Sequence, residues 1–199
     1  MNLKSIKPIL IMRKSLFLLF FLSIFSVKVG AQEMKHFTFK DIPIDGSIAN
    51  FVRELEKQNY KLEDITDADA VLTGRFTGEL VQIVVQGKKE TVGSVNVIFP
   101  LRESWPATKE RYEIIKSNLI EKYGEPKIVT ENFDEPFSDG LGNEKQALKE
   151  GKCTYECNFT TKNGEGIITL KIYVDMSIIL VYVDTANYIK LRDEARKEY

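Results

Sequence analysis

The strongest constraint on the fold is a strict alternation of apolar and polar residues in several short runs. In residues 152–160, KCTYECNFT, the side chains of Cys153, Tyr155, Cys157 and Phe159 alternate with polar ones without a break. Successive side chains of a β-strand point to opposite faces of its sheet. The run therefore predicts a strand with one buried face, and it places both cysteines of the chain on that face.

The cysteines could form a disulfide, belong to a metal site, or fill the core. On one strand, Cys153 and Cys157 would lie about 13 Å apart, whereas a disulfide needs Cα atoms within about 7 Å. A zinc site would need further ligands, but His36 is the only histidine and there is no second cysteine pair. We expect buried thiols, with an intermolecular bridge or a reactive thiol as the alternatives.

Two segments have the apolar spacing of amphipathic helices. In the first, Ser47 can cap a helix whose buried stripe is Ile48, Phe51, Val52 and Leu55. In the second, Ser104 can cap a helix that Gly124 and Pro126 end. The stripe of this second helix consists of Thr108, Tyr112, Ile115, Leu119 and Tyr123.

Runs typical of strands follow each helix. They lie at 70–77, 79–86 and 92–99 after the first, and at 127–133, 152–160, 166–174 and 177–183 after the second. This order predicts an α+β fold of two similar halves, each with a helix on an antiparallel sheet. The halves would span residues 32–103 and 104–185, followed by a surface helix in the tail, 186–199. Residues 134–151 would be an insertion, either a functional loop or a mobile one.

The amino end has the features of a secretory signal. A basic start precedes an apolar run of twelve residues, Leu16 to Val27, which is too short to span a bilayer. Small residues then predict cleavage after Ala31, so residues 1–31 would be a signal peptide, with a membrane anchor or buried helix as the alternative. We expect an exported protein, periplasmic or extracellular, without a membrane span after cleavage.

Charge limits the class of partner. Five of the 28 Lys and Arg precede the predicted cleavage site and none of the 29 Asp and Glu do, so the remaining 168 residues carry a net charge of −6. This acidity disfavours nucleic acid and anionic membranes. No segment rich in Lys or Arg opposes it.

Few residue patterns indicate catalysis or metal binding. There is no nucleophile elbow, zinc-protease motif or P-loop, and we expect His36, close to the predicted new terminus, to be solvated rather than catalytic. EDITDADA, 63–70, reads as a solvated acidic turn without the spacing of an EF-hand. A second weak oxygen-rich segment contains Asp139, Asn143 and Glu144. We expect no metal and no cofactor.

Several short motifs occur in an order that resembles a known group. F-x-x-I-P-I-D-G-S at 39–47, S-W-x-x-x-K-x-x-Y at 104–112 and K-Y-G-x-P at 122–126 are similar to motifs of small secreted proteins of uncharacterised function from gut Bacteroidetes. The resemblance covers nearly all of residues 37–184. It implies a fold like that of β-lactamase-inhibitor protein (BLIP-like), with tandem αββββ repeats whose sheet can present a concave face. It assigns no functional residue.

These observations favour a non-catalytic binding module that contacts a protein or envelope component through the exposed face of its sheet. The residues expected to contact the partner are Gln82, Gln86, Asn96, Thr169, Lys171 and Tyr173. The alternative is a hydrolase of envelope or extracellular glycans. Such an enzyme would need a cleft with two carboxyl groups about 5–9.5 Å apart, and the sequence does not identify such a pair among its acidic residues.

Overall fold

The computed structural model describes residues 35–88 and 90–198. The predicted signal peptide lies outside the described residues. Those residues form a mixed α+β fold with four α-helices and a large antiparallel sheet, which confirms the predicted class. The helices are α1 (Ile48–Lys57), α2 (Trp105–Tyr123), α3 (Glu144–Lys149) and α4 (Thr185–Ala195), with a 3-10 turn at Arg196–Glu198.

The described residues contain ten strands in two sheets. They are β1 (Thr38–Phe39), β2 (Ile42–Pro43), β3 (Lys61–Ile65), β4 (Asp69–Phe76), β5 (Glu79–Lys88), β6 (Thr91–Ile98), β7 (Ile128–Phe133), β8 (Cys153–Thr160), β9 (Gly166–Ile172) and β10 (Ile178–Asp184). The short β1 and β2 pair only with each other. The other eight form one sheet in the order β3-β4-β5-β6-β10-β9-β8-β7.

The large sheet consists of two four-stranded meanders that meet where β6 pairs with β10. At this junction Val97 lies opposite Leu180, and Val95 lies opposite Tyr182. Every neighbouring pair in the sheet is antiparallel. Thr77 and Gly78 connect β4 to β5 with φ angles of 48° and 87°, as a tight hairpin turn requires at both central positions.

Both long helices begin as the sequence predicts. The Ser47 hydroxyl accepts a hydrogen bond from the Asn50 N–H at 3.3 Å, and the Ser104 hydroxyl accepts one from the Ala107 N–H at 3.4 Å. Such caps satisfy N–H groups that have no partner inside the helix. The predicted stripe of α1 is buried, and so is that of α2 apart from the partly buried Tyr123.

One face of the sheet and the helix stripes form a single core. The alternating buried positions include Ile83 in β5, Val97 in β6 and Leu170 in β9, each with no exposed surface. Burying an aliphatic side chain of this size contributes about 1.5–3 kcal/mol. Aromatic rings extend the core toward α2, where Trp105 packs edge-to-face on Tyr155 with centroids 5.1 Å apart.

Two elements differ from the prediction. The segment read as an acidic turn is largely the edge strand β3, which contains Glu63 and Asp64, and only residues 66–68 connect it to β4. Its Leu62 pairs with Leu72 of β4. The predicted insertion, 134–151, contains the short helix α3, which buries Ala147 and Leu148.

Candidate functional site

The face of the large sheet opposite the helices is the candidate site, and we call it the open face. Side chains alternate between the two faces along each strand, so the residues that do not belong to the core lie on the open face. Its strand residues are exposed or half-buried, apart from the buried Thr91 opposite Lys88. Because the strands are in register, these residues line up in rows across the sheet.

Two rows cross the middle of the open face. The first consists of Asp64, Val71, Val84, Asn96, Val181, Thr169, Asn158 and Ile128, in order across the eight strands. The second consists of Lys61, Thr73, Gln82, Ile98, Ile179, Lys171, Glu156 and Thr130. At the junction of β6 with β10, the first row has Asn96 beside Val181 and the second has Ile98 beside Ile179. The rows end in polar residues, except for the exposed Ile128 in β7.

The structure brings the predicted contact residues to this face. Asn96 and Thr169 flank Val181 in the first row. In the second row, Gln82 and Lys171 flank the pair Ile98 and Ile179.

The remaining two predicted contact residues lie toward the ends of their strands. Gln86 lies opposite Ser94, and its side-chain oxygen accepts a hydrogen bond from Asn96 at 2.8 Å. Tyr173 directly follows β9 and is 47% exposed. The Lys171 Nζ lies 5.5 Å from its ring centroid, within the range of a cation–π interaction. Asn96, Thr169 and Lys171 are half-buried, while Gln82, Gln86 and Tyr173 are exposed.

The aliphatic centre of the open face was not predicted. We expected the outer face to be fully solvated, but Ile179, Val181 and Val183 of β10 are half-buried there. Neighbouring strands on both sides partly cover them, so a continuous apolar run is stable in a central strand. The sequence signal was present, because IILVYVD in β10 has no polar residue before its last position.

Hydrogen bonds order the polar part of the open face. The Thr169 hydroxyl donates to the side-chain oxygen Oδ1 of Asn158 at 2.5 Å, and the side-chain Nδ2 of Asn158 donates to Glu156 at 2.9 Å. On the other edge, hydrogen bonds from Thr73 and then Lys61 lower the pKa of Glu63 below its ordinary value. These bonds limit the freedom of the side chains before any partner binds.

The cysteines are on the opposite face, as predicted. Cys153 and Cys157 are free and buried in β8, whose burial alternates along its length. Burial raises the pKa of the Cys153 thiol to about 12. Burial also raises the pKa of Cys157, against the opposing effects of Tyr112 and Lys116. A thiol with a raised pKa is a poor nucleophile at neutral pH.

His36 is not simply solvated, which corrects the prediction. Its Nδ1 lies 3.2 Å from an oxygen of the buried Asp184, and its Nε2 lies 3.5 Å from Asp45. Burial alone would raise the pKa of Asp45, but hydrogen bonds from Asn187 and the Gly46 N–H, together with His36, lower it. The histidine belongs to the region that joins the start of the described chain to α4.

In the oxygen-rich segment with Asp139, Asn143 and Glu144, the two carboxylates bond groups of the fold itself. The Glu144 carboxylate accepts the N–H groups of Gly140 at 2.8 Å and Gly142 at 3.1 Å, while Asp139 accepts the indole N–H of Trp105. Asn143 precedes α3 without a side-chain capping bond. Within residues 35–88 and 90–198, no group of three or more His, Cys, Asp or Glu side chains could hold a metal ion.

Comparison with known proteins adds no relative. No family model matches this chain, and no curated protein and no solved structure matches it significantly. No helix in the described part of the chain is both long and apolar enough to cross a membrane.

Proposed function

We propose that this chain is an exported, non-catalytic binding module that holds a partner protein on its open face. The observation that carries the proposal is the half-buried aliphatic centre, formed by Ile98, Ile179 and Val181, with the polar side chains of Gln82, Asn96, Thr169 and Lys171 beside it. An apolar centre inside a polar rim is the usual arrangement of a protein–protein interface.

The aliphatic centre favours a protein over a glycan. A sugar placed over Ile98, Ile179 and Val181 would lose hydrogen bonds to water without finding new partners, which is unfavourable. Apolar side chains of a partner protein would lose only contact with water, which is favourable. Around the centre, the amides of Gln82 and Asn96 offer both donors and acceptors to a polypeptide.

The charges of the open face do not favour a polyanion. Lys61 and Lys171 lie in the second row, and Glu156 lies directly opposite Lys171. Asp64 ends the first row. The two rows therefore hold two cations and two carboxylates, whereas binding of nucleic acid requires an excess of cations to neutralise phosphates.

The face is large enough for a stable contact. Eight strands at about 4.8 Å spacing span roughly 34 Å, and six residues along a strand span about 20 Å. The resulting area of about 700 Å² is close to the roughly 800 Å² that each partner contributes to a standard interface.

The two halves of the chain and its amino end add to the proposal. We infer that the two runs of one long helix and four strands are tandem repeats of the BLIP-like kind, with α3 inserted into the second. The order of elements and the meeting of the two meanders at β6 and β10 support this inference. The signal-like residues 1–31 support delivery to the periplasm or the extracellular space.

A matched pair of variants tests the contact face. One variant replaces Gln82, Lys171 and Tyr173 by alanine, and the control replaces Gln146, Lys145 and Tyr188, three exposed residues on α3 and α4. The protein is recovered from the organism that makes it, and the copurified partner is identified and returned to purified protein. We expect at least a tenfold weaker affinity for the first variant and an unchanged affinity for the control. Equal affinity of the two variants contradicts the proposal.

A further inference from the structure

A small apolar cavity lies between α2 and the helix-covered side of the sheet, away from the open face. Its volume is about 160 Å³. Six apolar residues form most of its wall: Phe76, Phe99, Ile115, Leu119, Leu180 and Tyr182. A dry cavity of about 150 Å³ with such walls holds one benzene molecule. The cavity therefore fits an apolar group of about one aromatic ring.

The polar part of the wall contains two cations beside the neutral Thr77 and Asn118. Arg111 and Lys122 of α2 line the cavity, and none of its described lining residues is acidic. The Glu79 carboxylate forms an ion pair with Arg111, but it also forms one with Arg102. One carboxylate therefore neutralises only part of the charge of two guanidinium groups, and Lys122 adds a further cation. The excess positive charge favours an anion at this end of the cavity.

Arg111 also has an unused hydrogen-bond donor. Its Nε is buried and has no acceptor among the described residues, while its guanidinium carbon lies 5.4 Å from the ring centroid of Phe99. A buried donor without an acceptor is unfavourable, because it has lost water and gained no bond. The Nε is closed to a water-sized atom, so a ligand in the cavity would bond the terminal nitrogens of Arg111 instead.

We propose that the cavity binds a small monocarboxylate whose apolar body is about one aromatic ring. The ring lies among the six apolar side chains, and the carboxylate accepts hydrogen bonds from Arg111 and Lys122. The size of the cavity and the two cations in its wall favour this class of ligand. The site does not depend on the proposed function of the open face.

Benzoate and benzamide are the matched probes, because they have nearly the same shape and differ in charge. Each is titrated into the purified protein while amide NMR shifts are recorded. For a ligand of nine heavy atoms we expect a benzoate Kd on the order of 1 mM. Benzamide should bind at least fivefold more weakly, and added salt should weaken benzoate binding more than benzamide binding.

Two pairs of variants locate the site. Asn118 is exposed and lines the cavity, so Asn118→Trp should cover the opening without disturbing the core, while Ser117→Trp is the neighbouring control outside the lining. We expect at least a tenfold weaker benzoate affinity for Asn118→Trp and a change within twofold for Ser117→Trp. Lys122→Met should weaken the benzoate affinity about threefold. Lys127 is an exposed lysine outside the lining, so Lys127→Met should leave the benzoate affinity unchanged.

Three results would overturn the proposal. The first is the absence of saturable benzoate shifts up to about 20 mM, well above the expected Kd. The second is equal binding of benzoate and benzamide, which would remove the role of the cations. The third is unchanged affinity in Asn118→Trp, which would place any binding elsewhere on the protein.

Discussion

Trp105 donates its indole N–H to Asp139 at 2.6 Å, and this bond joins the first turn of α2 to the segment between β7 and α3. Lys109, one turn further along α2, forms an ion pair with the same carboxylate. Hydrogen bonds from Lys109 and then Trp105 lower the pKa of Asp139, and the bond to Asp139 raises the pKa of Lys109. The loop is therefore attached to the core helix by one charged side chain.

The first prediction concerns the acid titration of this contact. Because the folded pKa of Asp139 is lowered, its contribution to stability is present above the unfolded pKa of about 3.9 and is lost as the pH falls through the folded pKa. Trp105 is the only tryptophan, so its fluorescence reports the change directly. We expect a fluorescence transition with a midpoint below pH 3.9.

The matched variants are Asp139→Asn and Asp134→Asn, an exposed aspartate in the same segment. Asp139→Asn should remove the transition and lower the free energy of unfolding by about 0.5–1 kcal/mol, a small value because the pair is partly exposed. Asp134→Asn should keep the transition. A transition that persists in Asp139→Asn would assign it to another group.

The second prediction concerns the thiols. Cys153 and Cys157 are buried with raised pKa values, so a thiol reagent at pH 7.5 should label neither in the folded protein and both in guanidinium chloride. Intact mass should match two free thiols, even after recovery from an oxidising compartment, because two residues four apart on a strand cannot bridge. A mass lower by two hydrogens, or rapid labelling of the folded protein, would contradict the placement of β8.

The third prediction concerns Asn187, which is buried in α4. Its amide nitrogen lies 2.9 Å from the Ile44 carbonyl oxygen and 3.0 Å from that of Val92, and its backbone N–H donates to Asp184. Asn187→Ala should lower the free energy of unfolding by about 2–4 kcal/mol, since it leaves buried carbonyls unpaired.

The neighbouring Tyr188 is 53% exposed, so Tyr188→Ala serves as the control and should change the free energy of unfolding by less than about 0.5 kcal/mol. Urea denaturation of the two variants provides the measurement. Equal midpoints for the two variants would show that the Asn187 bonds do not hold the start of the described chain against α4.

Local patterns predicted the parts of the fold that depend on local chemistry. The capped helices α1 and α2 and the alternating strand β8 follow from side-chain spacing and from Ser47 and Ser104, which act within one turn. The edge strand β3 was missed because Lys61–Ile65 is mostly charged and exposed, and only its pairing with β4 identifies it. Similarly, His36 meets Asp184 only through a contact distant in sequence.

The candidate site was predicted in part for the same reason. Alternation assigned Gln82, Asn96 and Lys171 to the outer face, but it could not show which strands are central. The order of strands across the sheet puts β10 beside β6 and β9, so Ile179 and Val181 can remain half-buried on the outer face. That order depends on contacts between the two halves of the chain, which no local pattern contains.

The most direct test of the open face is photo-crosslinking in the organism that makes the protein. A photoreactive phenylalanine analogue replaces Ile179 at the centre of the open face, and in the control it replaces Ile114, an exposed residue of α2. We predict that Ile179 yields one dominant covalent adduct to a different protein and that Ile114 does not. The same adducts from both positions, adducts of two copies of this chain, or none from Ile179 would contradict the account.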